Sequence, residues 1–250
     1  MNIEILNKVM LDIFYERTSY EREKIFVVAC DDLYVYSLEK SPCQKHKSTL
    51  ADVSRFNGTS FPKYLISDGC YALISKNIIS GKDASWMGTY LHEITHAHDF
   101  FVFADCIGAI TADEIYDSQF FLSAMGVISE FNARRNGFSY VREQWYKFDS
   151  ADEEWENIFS KEIPYLIKTN SEVSNLYSLT QLLGRMAVFD SKTKETARSI
   201  FYDIFLERFN TFTADKIIKM YEILYNYKDA KNNISLCLNE IHQIVTELKM

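Results

Sequence analysis

The sequence predicts a helix-rich α+β protein, and three observations carry that prediction. Strand-like apolar runs are confined to the first 80 residues, and from there to the C-terminus the pattern is nearly all helical, with only Pro164 to interrupt it. The 250 residues include just 8 Gly and 3 Pro, too few turn formers for an all-β sandwich. Apolar types make up 47% of the chain and aromatics 15%, enough to fill a sizeable core and to exclude intrinsic disorder.

Taken in order, the first 20 residues read as an amphipathic helix, because Ile3, Leu6, Val9, Met10 and Phe14 recur at helical spacing. Lys24 to Ala29 and Leu33 to Leu38 read as strands, with Asp31-Asp32 as a hairpin turn between them. Residues 41–60 are polar and hold a Pro and a Gly, so they are expected to be mostly loop. Cys70 to Lys76 is a further strand, and Gly81-Lys82-Asp83 breaks the chain before a helix that Asp83 or Ser85 would cap. Thr111-Ala112-Asp113-Glu114 has the capping-box form and opens a second long helix, expected to end at Asn136-Gly137. No flexible linker forces a domain boundary; the expected division is 1–145 as a core and 146–250 as a helical lobe.

Charge and cysteine usage bound the setting. The formal charge of −8, from 27 basic against 35 acidic residues, repels phosphate backbones, and no basic patch offsets it, so no nucleic-acid partner is expected. The most apolar run, Phe100 to Ile110, is interrupted by Asp105 and falls short of a bilayer span of about 20 residues. The N-terminus lacks the basic region and cleavage site of a signal peptide. Five cysteines without a CxxC pair fit a reduced, cytoplasmic protein. Cys43 and His46 have C-x₂-H spacing, but nothing nearby completes a zinc site, and they are read as loop residues. The aromatic positions of the C-terminal half read as core, and Asp152 to Glu156 as the acidic start of a helix.

Chemistry concentrates in His92-Glu93-Ile94-Thr95-His96-Ala97-His98-Asp99, which holds three of the five histidines. On a helix His92 and His96 share a face and can offer two imidazole nitrogens to one metal ion. Glu93 is turned by about 100°, so its carboxylate can reach a metal-bound water without binding the metal. Catalytic zinc takes three protein ligands and leaves one position to water, so a third ligand is required. His98 falls on nearly the opposite side of the helix. Asp99 lies on the right stripe but about 10 Å along the axis from His92; it is better read as an acceptor for an imidazole N–H, or as a solvated acid. Glu130, 34 residues after His96, shares a helical face with the small residues Ser123, Gly126, Val127 and Ala133, which permit close approach of another helix. Glu130 is the strongest of the three. For stabilising an oxyanion, Tyr140, Tyr116, His98 and Arg134 all remain open.

The HExxH segment with a downstream Glu130 on a second helix resembles the gluzincin type of zinc metallopeptidase. Ser129-Glu130-Phe131-Asn132-Ala133-Arg134 is reminiscent of the glutamate helix in small intracellular ImmA/IrrE-like peptidases. The resemblance spans Ser85 to Arg135 and departs from the pattern at Arg134, where many gluzincins place an Asp. It implies a zincin-like core with a short sheet behind the HExxH helix, followed by the all-helical C-terminal part. It also implies Zn²⁺ held by His92, His96 and Glu130, Glu93 as general base, and a peptide or protein substrate. The alternative is a catalytically inactive zincin scaffold that binds or regulates; oligomeric state is left open.

Overall fold

The computed structural model describes residues 2–79, 85–145, 172–190, 211–226 and 230–248. The chain divides into two compact units, Met1–Phe121 and Leu122–Met250; sequence pattern alone drew the line at 145.

The first unit is built on three strands. Helix α1 (Ile3–Thr18) starts at Asn2, whose side chain accepts from the amides of Glu4 and Ile5. It ends at Ser19, which adopts the left-handed conformation at φ 56° and donates its N–H to the Tyr15 carbonyl. Leu6, Met10, Phe14 and Tyr15 are buried, whereas Val9, assigned by spacing to the same face, is exposed. Strand β1 (Ile25–Cys30) follows as expected.

The next segment corrects the sequence expectation. Leu33–Lys40 is not a strand but helix α2, and Asp32 is its N-cap, accepting from the Val35 amide at 3.0 Å. The alternation Leu-Tyr-Val-Tyr fits a period of two, but one capping carboxylate turns the chain into a helix first. Nor is 41–60 mostly loop: it forms helix α3 (Gln44–Thr49), a 3₁₀ turn (Leu50–Arg55) and the start of strand β2 (Gly58–Pro62). Strand β3 (Cys70–Ser75) completes the sheet, in the order β1-β3-β2. Because β1 runs parallel to β3, the chain between them must cross over rather than turn back. β2 pairs antiparallel on the other side of β3 and is an edge strand, which is why it tolerates Pro62 at its end.

The register sorts the sheet residues onto two faces. Ile25, Val27 and Ala29 of β1 stand beside Cys70, Ala72 and Ile74 of β3, which stand beside Pro62, Ser60 and Gly58 of β2. This mostly small-sided face receives helix α5 (Ser85–Ile107), which packs on β2 and β3. The other face carries Phe61 and Leu73, closed over by Leu33, Leu50 and Val53. Tyr90 of α5 is tied to α1 by donating to Asn7 at 3.0 Å, while Asn7 donates to the Val27 carbonyl of β1. Short helices α4 (Lys76–Ile79) and α6 (Ala112–Asp117) flank α5 in sequence. The expected break at Gly81-Lys82-Asp83 lies outside the described residues.

Thr111 and Glu114 do form the capping box, but the helix they open is only α6. A π-helical turn (Phe121–Met125) intervenes, and helix α7 then runs from Gly126 to Trp145, straight through Asn136-Gly137. In the second unit, α7 packs closely on α8 (Glu172–Asp190) at Gly184, where a Cβ would lie 2.7 Å from the Phe131 carbonyl oxygen. Helices α9 (Thr211–Asn226) and α10 (Ala230–Leu248) bury Ile217, Met220, Leu224, Leu238, Ile241 and Val245. Arg135 lies over the Tyr225 ring at 5.6 Å. Pro164, the acidic run Asp152 to Glu156 and several of the predicted core aromatics (Trp155, Phe159, Tyr165, Phe201, Tyr202, Phe205, Phe209) lie outside the described residues. Among the described residues, no helix is long and apolar enough to cross a membrane.

Candidate metal centre

Helix α5 carries the HExxH residues in its middle, where helical geometry is firmest. Leu91, Ile94 and Ala97 are buried, while His92 and His96 are half-buried. The one-turn spacing brings their Nε2 atoms to 3.0 Å, with the rings nearly perpendicular at 86°. Two nitrogens each about 2.0–2.1 Å from one tetrahedral ion would lie about 3.3 Å apart, so the pair is spaced for shared coordination.

Glu130 stands on α7, second in line after Ser129 and ahead of the fully buried Phe131. It is 5% exposed, so it is not a solvated surface acid. Among the described residues, His92, His96 and Glu130 form a group that can hold a metal ion: each offers one ligand atom, and these lie within 4.8 Å of one another. Two imidazole nitrogens and one carboxylate oxygen form a donor set that several divalent metal ions accept, zinc among them.

Glu93 is also buried, at 6% exposure. Two residues of the edge strand β2 meet it. The Ser60 hydroxyl lies 2.8 Å from the Glu93 carbonyl oxygen and 2.9 Å from Oε2, and can donate to either. Gly58 leaves the space that the carboxylate occupies: a Cβ there would stand 2.5 Å from Cγ and 2.8 Å from both Cδ and Oε1. Sequence pattern missed both residues, since each sits in the stretch expected to be loop, and no local signal ties either to a glutamate more than 30 positions on.

The other expected residues fall as follows. His98 stacks on Tyr20 with ring centroids 4.5 Å apart and tilts against Phe14, off the His92/His96 stripe as its spacing predicted. Asp99 is 5% exposed, which removes the solvated reading. Tyr140 lies half-buried on α7, ten residues beyond Glu130. Tyr116 is buried on α6, and that burial pushes its phenol well above the ordinary range.

Cys43 and His46 are not loop residues. Cys43 caps α3, accepting from the His46 amide, and His46 is buried. All five cysteines are free thiols. Burial pushes Cys30 up to about 11 and raises Cys43, Cys70 and Cys237, which leaves these four poor nucleophiles.

Comparison with protein-family models, curated proteins and solved structures finds no match to this chain.

Proposed function

We propose that this protein is a zinc-dependent hydrolase, a metallopeptidase of gluzincin type. The observation that supports the reading is the grouping of His92, His96 and Glu130 beside a glutamate adjacent in sequence to the first ligand. His92, His96 and Glu130 would hold the zinc. When bound, zinc would supply Lewis acidity and lower the pKa of a coordinated water toward about 7. Glu93 accepts the water's proton as the carbonyl carbon of the substrate is attacked, then delivers that proton to the leaving amine. The substrate is a peptide or protein.

The test has two parts. Protein purified without an affinity tag or added metal should carry about one zinc per chain by elemental analysis. Glu93→Gln should keep that zinc while cleavage of a quenched fluorescent peptide library falls by several orders of magnitude. Less than a tenth of a zinc per chain would sink the metal assignment, and persisting cleavage would sink the role of Glu93.

A further inference from the structure

The side chain of Glu93 is set less by its own helix than by the strand beneath it. A glutamate on a helix has three rotatable bonds, and burial alone does not choose among the rotamers. Here β2 chooses. Gly58 and Ser60 are two positions apart and therefore on the same strand face, the one turned to α5. Gly58 has no positive φ to require a glycine, so its role is spatial. Any side chain at 58 would occupy the volume now filled by Cγ, Cδ and Oε1 of Glu93. Ser60 then holds the carboxylate in that slot from Oε2.

We infer that Ser60 and Gly58 are the positioning residues of the general base: the strand, not the helix, aims Glu93. The inference rests on the proposed role of Glu93. The Ser60 oxygen suits a group that passes a proton on. Its hydrogen can be given to an ionised Oε2, or turned to the Glu93 carbonyl while the oxygen accepts from a protonated carboxyl. The carboxylate therefore keeps its tether on both sides of the transfer. A displacement of about 1 Å at such a group can cost 10²-fold in rate.

Three variants test this. Ser60→Ala removes the tether, Ser60→Thr keeps a hydroxyl at the same strand position, and Gly58→Ala fills the slot. Gly58→Ala should still fold, because the nearest atoms it meets belong to the Glu93 side chain, which can swing as a whole about χ1. On the quenched peptide library, Ser60→Ala and Gly58→Ala should each lose about ten-fold or more in kcat with KM little changed. Ser60→Thr should recover most of the rate, and zinc affinity should stay within about two-fold in all three. Crystal structures of the Ser60→Ala and Gly58→Ala proteins supply a readout without turnover: the Glu93 carboxylate should leave its present place beside β2. An unmoved carboxylate in both overturns the inference whether or not any peptide is cleaved. If Glu93→Gln abolishes cleavage but Ser60→Ala and Gly58→Ala cleave at the parental rate, the base stands and its positioning by β2 falls. If Glu93→Gln still cleaves, the base assignment fails first, and the two crystal structures alone decide what holds the side chain.

Discussion

His46 and the pair His92–His96 belong to the same unit yet meet opposite conditions. His46 is 3% exposed, with its ring 4.4 Å from that of Phe61 and 5.6 Å from that of Tyr116. Its Nδ1 lies 2.8 Å from the Ser41 hydroxyl, which is also 3.1 Å from the Cys43 carbonyl oxygen. Burial pushes this imidazole down to about 4, so it is neutral at ordinary pH. His92 and His96 are half-buried and bring Nε2 against Nε2. The first imidazole is absorbed into packing; the other two hold their Nε2 atoms side by side on one helix face. A histidine near a cysteine at C-x₂-H spacing is here a core residue, whereas the one-turn pair on α5 is the one proposed to bind metal.

That contrast can be broken by experiment. The largest expected effect is on metal binding. A partner that merely supports a ligand is worth about 10–100-fold in affinity, so His96→Ala should weaken zinc by upward of about 1,000-fold in a chelator competition. His46→Gln should leave it unchanged; a matching loss in both variants would erase the distinction.

Stability reverses the roles. His46→Ala opens a cavity against Phe61 and should cost about 3 kcal/mol in urea unfolding, whereas His96→Ala measured without zinc should cost well under half of that.

A smaller effect follows from acid. The folded pKa of His46 lies below its unfolded value of 6.5, so between the two the unfolded chain binds more protons and stability falls as pH falls. From pH 6.5 to 5 this group alone should remove about 2 kcal/mol, with the decline ending near pH 4. The His46→Gln protein should lack this component, and equal pH slopes for the two would refute the neutral, buried assignment.

The smallest effect concerns Lys45, the neighbour of His46, which pairs with Asp117 at the surface. Both side chains are more than half exposed, so Lys45→Ala should change stability by less than about 1 kcal/mol. A larger loss would mean that surface charge rather than burial anchors α3.

What could be seen in the sequence was local. The Val- and Ile-bearing runs announced β1 and β3, Thr111 and Glu114 announced a helix start, and HExxH carried its own geometry in its spacing. Part of what stayed hidden was a local choice between two periods, and part depended on partners far along the chain. Leu33–Lys40 alternates like a strand, and only the bond from the Val35 amide to Asp32 decides for helix. β2 reads Gly-Thr-Ser-Phe-Pro, with two residues that ordinarily disfavour strands, and is tolerated because it pairs along one side alone. Helix α7 passes straight through Asn136-Gly137, where Gly137 is buried, and that burial is not visible in the local pattern. The placement of Glu93 was legible as a residue on a face and illegible as a rotamer, since the two residues that set it come from that unrecognised strand.

Edge strands are usually the members of a sheet most free to slide, held by one ladder and no more. In this protein a slip of one place would bring Thr59 and Phe61 to the side where Gly58 and Ser60 now stand, and a benzyl group would be driven into the notch that houses a carboxylate. The outermost strand is thus indexed by a helix, as a gear is by a pawl. Anyone moving the histidine-bearing helix into another scaffold would have to transplant these five residues along with it.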